Sequence, residues 1–100
     1  MHNRTKDYRT SLLHDLQDPG EAAAYLTAAL EEGESAVFLL ALRDVADAKG
    51  MSTIAAKAQL NRENLYRMLS EQGNPQLDSL TALLDALDLC LAVAVKSSNA

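Results

Sequence analysis

The chain has 100 residues, 48% of them hydrophobic, with no Trp, one Phe and three Tyr. It can therefore build one modest core, which Leu and Ala, both good helix formers, must fill. The net charge of −5 argues against nucleic acid only as a whole-chain sum: residues 15–34 hold six acids and no Lys or Arg, whereas residues 43–67 hold five basic and three acidic residues, a net of +2.

Residues 1–18 read as an N-terminal arm. Its first ten residues are polar, charged and expected to be mobile, and they lack the apolar core of a signal peptide. Leu12, Leu13 and Leu16 then make a small apolar patch suited to a short helix. Asp18-Pro19-Gly20-Glu21 is a helix start: Asp18 can cap, Pro19 stands where no N–H is needed, and Glu21 completes an arrangement like a capping box. That helix should run to about Glu32 and stop at Gly33, with Ala22, Tyr25, Leu26, Ala29 and Leu30 at helical spacing.

A second helix starts at Glu34-Ser35 and runs to Lys49. It is apolar almost all round through Val37, Phe38, Leu39, Leu40, Ala41, Leu42, Val45 and Ala46, which predicts a central position. Gly50 can supply a left-handed stop. Ser52 opens a short helix to about Ala58, with Ile54, Ala55 and Ala58 facing inward. Asn61 caps the next helix, which should end near Ser70, and Gly73-Asn74-Pro75 breaks the chain. Asp78 is expected to cap a last helix reaching Leu87 through Leu80, Leu83 and Leu84.

Larger and smaller apolar residues alternate beyond it, which predicts a short β-strand over residues 89–96. A lone strand leaves its backbone groups unpaired, so the expectation is pairing with a second copy in a two-fold dimer, with Leu89, Leu91, Val93 and Val95 at the interface. The alternatives are a helix extension or a tail packed on its own domain.

Residues 51–70 carry the functional signal. Two short helices meet at the compact turn Gln59-Leu60-Asn61, where Ala55 allows close approach and Leu60 plugs into the core. The second helix has Leu65, Met68 and Leu69 behind and Arg62, Glu63, Asn64, Tyr66 and Arg67 in front, as expected of a helix anchored from behind and offered to a DNA groove. Arg62 could fork onto guanine, Glu63 accept from cytosine or hold an arginine in place, and Asn64 bond adenine or a phosphate. Tyr66 could reach a phosphate or a thymine methyl, and Arg67 and Lys57 suit phosphates. Helix starts, at Ser52 and Asn61, could add backbone N–H groups for phosphate oxygens. The plainer reading is that Glu63 and Arg67 form a surface i, i+4 ion pair and Tyr66 covers the core edge.

These residues resemble a known family. Gly50-Met51-Ser52-Thr53-Ile54-Ala55, the run from Leu60 to Ser70 and Gly73-Asn74-Pro75 look like the helix-turn-helix of the addiction-module antidote proteins, HigA-like antitoxins within the Xre/Cro-like phage-repressor class. The upstream stretches at 24–33 and 38–42 are similar to that family's pattern as well. The resemblance implies an all-α, five-helix phage-repressor-like domain over residues 19–100, with an N-terminal helical extension. It implies an antitoxin that binds a RelE/HigB-like ribonuclease toxin and represses its own operon at a palindromic operator, with Arg62, Glu63, Tyr66 and Arg67 on the groove-facing helix. Gln59 stands where the motif usually has Gly, so the turn is expected to be altered or strained, at about 1 kcal/mol.

The acidic stretch at 15–34 is the expected toxin surface, because ribonuclease toxins tend to be basic. A phage-type repressor without a toxin partner and a helical protein-binding adaptor are the competing readings. No enzyme, cofactor or metal is expected: His2 and His14 lack metal spacing, and Cys90 has no His or Asp close in sequence and reads as a packed core or interface residue. A lone cysteine excludes an internal disulfide and suits a reducing cytoplasm, and no apolar run approaches the roughly 20 residues that span a bilayer.

Overall fold

Caps and helix breakers divide the chain as local chemistry dictates. The computed structural model describes residues 4–96. Six helices follow in order: α1 (Arg4–Asp15), α2 (Pro19–Glu31), α3 (Ser35–Lys49), α4 (Met51–Ala58), α5 (Arg62–Met68) and α6 (Leu77–Ala86). Asp18 caps α2, its Oδ2 accepting from the Glu21 N–H at 3.0 Å, with Pro19 in the first helical position. Gly50 alone connects α3 to α4, at φ +97°, a backbone that a residue with a Cβ rarely adopts.

The centre belongs to α3, which packs against α1, α2 and α4 and buries Leu39, Ala41, Leu42, Val45 and Ala46. On the far side α6 lies against α4 and contributes Leu83, Leu84, Ala86 and Leu87 to the same core, which also takes Ile54, Leu65 and Leu69. Leu16 reaches it from the α1–α2 connection. Of the apolar row expected along α2, Ala22, Leu26 and Ala29 are buried and Tyr25 is half-buried, but Leu30 is 58% exposed.

The expected architecture needs correcting in two places. First, the fold is all-α with six helices, and no β-strand is present among the described residues. After α6 the chain makes a Schellman turn: Asp88 is left-handed at φ 63°, its N–H donates to the Asp85 carbonyl at 3.0 Å, and the Leu89 N–H donates to the Leu84 carbonyl at 2.8 Å. This turn presses Leu89 against the core, and residues 90–96 follow without regular secondary structure. Cys90 is exposed rather than packed, and Val93 and Val95 are 100% and 97% exposed. Period-two patterning makes a strand only where a second strand supplies a ladder, and this helical domain has none to offer.

Second, the helix count is six because the arm is ordered as α1. Residues 1–3 lie outside the described residues, but from Arg4 onward the segment expected to be mobile is helical. Arg9 explains part of the difference. Its guanidinium donates to Asp44 Oδ1 and Asp47 Oδ2, both at 3.0 Å, and ties α1 to α3. The next link is held too: the Lys49 ammonium donates to the Gln17 carbonyl at 2.7 Å, and Gln17 Nε2 to the Ala48 carbonyl at 3.3 Å. Two smaller boundaries also shift. Gln76, not Asp78, precedes α6, leaving Asp78 in the first turn where its charge suits the helix dipole, and α5 ends at Met68 rather than Ser70.

Candidate nucleic-acid interface

The candidate interface starts at the corner between α4 and α5. Gln59 is left-handed (φ 59°, ψ 41°), as glycine would be. Its N–H donates to the Ala56 carbonyl at 3.1 Å and the Leu60 N–H to the Ala55 carbonyl at 2.8 Å, so the turn is kept and the strain stays in one residue. Leu60 then packs half-buried against the core. Asn61 is committed to a cap, its Oδ1 accepting from the N–H groups of Glu63 at 2.8 Å and Asn64 at 3.2 Å, which leaves its amide NH₂ for any other contact.

Behind α5, Leu65 and Leu69 are 0% exposed and Met68 packs half-buried beside them. In front, Arg62, Glu63, Asn64 and Arg67 are exposed and Tyr66 is half-buried; Ser52 and Lys57 are exposed on α4. Glu63 and Arg67 form no ion pair, because among the described residues the ion pairs are those of Arg9. The charged groups on the front of α5 are therefore exposed and without ion pairs among the described residues.

Two flanks divide this front. On one, the Tyr66 ring has the Arg62 guanidinium 5.7 Å from its centroid and the Arg43 guanidinium of α3 at 5.1 Å. On the other, Asn64 and Arg67 line an open groove with Ser70, Gln72, Asn74 and Ser79. Gly73 makes that groove possible: a Cβ there would run into the Met68 carbonyl, so only glycine lets the loop close on the end of α5. Sequence reasoning assigned no role to Arg43. It lies 23 positions before Tyr66, and its one visible trace was membership of the net-basic segment.

Charges elsewhere on α3 are satisfied internally. Besides Arg9, Asp44 takes the Tyr25 hydroxyl, which donates to its Oδ2 at 2.7 Å. Burial first, and this bond second, push the Tyr25 phenol up to about 12. The Asp44 hydrogen bond likewise holds the Arg9 guanidinium above its usual value. No group of three or more His, Cys, Asp or Glu among the described residues is placed to hold a metal ion, and no helix there is long and apolar enough to cross a membrane.

Comparison with known proteins agrees with the resemblance carried by the corner. A family model described as "Probable addiction module antidote protein" matches residues 7–95. A relative from Haemophilus influenzae, described as "Uncharacterized protein", is 36% identical over 89 residues, which is 89% of this chain and 90% of that protein. No solved structure matches significantly. The family match runs from α1 past α6 and takes in the whole α4–α5 corner, so the chain belongs to the family of probable addiction module antidote proteins.

Proposed function

We propose that this antidote protein works by binding on two fronts. It neutralises a RelE/HigB-like ribonuclease toxin, and it represses its own operon by reading a palindromic site in double-stranded DNA through a helix-turn-helix at residues 51–70. One observation carries the DNA reading: the polar front of α5 has no ion pair among the described residues, while its back is fully buried at Leu65 and Leu69. An exposed, unpaired basic helix on a rigid anchor is what groove entry requires. Arg62 then reads a base, Asn64 and Tyr66 support it, and Lys57, Arg67 and the helix starts at Ser52 and Asn61 hold phosphates. Glu63 accepts from a base or orients an arginine.

The toxin surface is assigned to α2 and its ends, where Asp15, Asp18, Glu21, Glu31, Glu32 and Glu34 are exposed with no basic residue among them and Leu30 adds an uncovered apolar contact. Opposite charge would steer a basic ribonuclease to it. The working form is a cytoplasmic homodimer whose copies meet through the apolar tail at Leu91, Val93 and Val95; Leu89 serves from behind, packed on its own core.

Co-purification with the product of the adjacent reading frame, followed by footprinting upstream of the operon, tests both fronts. Toxin capture and a protected palindrome are expected. Arg62→Ala should then lose about 1–3 kcal/mol on the cognate duplex and relax its preference at one position. A footprint without toxin capture would favour a phage-type repressor; capture of a protein without a footprint would favour a helical adaptor.

A further inference from the structure

We propose that Arg43 of α3 belongs to the nucleic-acid surface and takes a backbone phosphate beside the groove entered by α5, an inference that rests on the DNA-binding reading. The geometry that points there is a stack across two helices. One half-buried ring, Tyr66, has two guanidinium groups over it, Arg43 at 5.1 Å and Arg62 at 5.7 Å. Two like charges lie near one ring, and neither forms an ion pair among the described residues. Asp44, next to Arg43 in sequence, is turned away to Arg9 and Tyr25. No acid among the described residues therefore pairs with either guanidinium, and the counter-charge we assign is a phosphate from outside the chain.

The ring also settles the division of labour. A guanidinium on a tyrosine face keeps its N–H edge free for in-plane acceptors while its flat side is held. Arg62 starts α5 and points with it. Arg43 belongs to α3 and not to the groove-facing helix, which suits a contact to the duplex backbone better than one to base edges. Holding a phosphate there fixes register and carries no sequence preference. Arg43 is thus a positioning residue, and Tyr66 is the spacer that sets both arginines.

The test titrates the full-length protein into its promoter duplex and into a scrambled duplex over a series of salt concentrations. Arg43→Gln should weaken binding to both duplexes equally, about tenfold. It should also lower the slope of log K against log salt by about 0.9, the signature of one lost phosphate contact. Arg62→Ala should instead weaken the promoter duplex more than the scrambled one. Were Arg43 only a cover for Tyr66, its loss would lower the melting temperature and leave the salt slope unchanged; a wild-type slope in Arg43→Gln overturns the proposal. Should that variant fail to fold, Arg43→Met decides: it keeps an unbranched apolar stem beside the ring and loses the charge, so its slope must also fall by about 0.9, and a wild-type slope overturns the phosphate role. A wild-type protein that binds neither duplex at low salt defeats the DNA reading itself, a result distinct from either of these.

Discussion

Helix α3 carries charge on two sides, and the two sides differ in kind. Toward α1 and α2, Asp44 and Asp47 are met by Arg9 of α1, and Asp44 also by Tyr25 of α2. Toward α5, Arg43 meets only an aromatic ring already approached by Arg62. The first side is closed: its charges are consumed in holding the N-terminal helix. The second is open: neither guanidinium has an ion pair among the described residues.

The largest expected effect tests the anchor beneath the open side. Leu65→Ala empties a fully buried site under α5 and should destabilise the domain by about 2–5 kcal/mol in denaturant unfolding, taking DNA retention with it. Retention that survives at wild-type strength would show that the front does not depend on its back. The closed side has a smaller expected signal. Tyr25→Phe removes the bond to Asp44 and should cost about 1–2 kcal/mol while leaving DNA affinity unchanged. The raised phenol also fixes a pH dependence. Because the folded-state value lies above the ordinary 10, the stabilisation is complete below about pH 10 and fades as pH rises toward about 12; ultraviolet titration of the folded protein should find one late-ionising tyrosine, absent in Tyr25→Phe.

A third substitution sharpens the corner itself. Gln59→Gly should relieve the left-handed strain and stabilise by about 1 kcal/mol, raising the melting temperature by about 4–8 °C. An unchanged or lower melting temperature would mean that the greater freedom of glycine in the unfolded chain offsets the relief. Smallest of all, Arg9→Ala should cost about 0.2–1 kcal/mol, because the pair it breaks is partly exposed, and the difference from wild type should shrink at high salt. Amide exchange should then quicken in α1 and nowhere else.

Much of the helical layout was legible without coordinates because it rests on neighbouring residues. Asp18 before Pro19, Gly50 after Lys49 and Asn61 before Arg62 act over three or four positions, and each stands at a helix boundary where local chemistry puts it. The apolar surround of α3 announced its central place, and the split between Leu65, Leu69 and the polar front of α5 could be read from spacing. The misreadings came where the deciding partner was distant or missing. Alternation in the tail looked like a strand, but a ladder needs a second strand that spacing cannot supply. The charged start of the chain looked mobile because Arg9 finds its acids 35 and 38 positions away.

Periodicity and capping thus determined by themselves that the chain is largely helical, with a polar, arginine-bearing front on the helix that Asn61 caps, since those signals are carried by residues a turn apart. Only the tertiary structure decided which charges are spent and which remain. It closed Asp44 on Arg9 and Tyr25, and it brought Arg43 to Tyr66, because neutralisation depends on distances in space that no local pattern encodes.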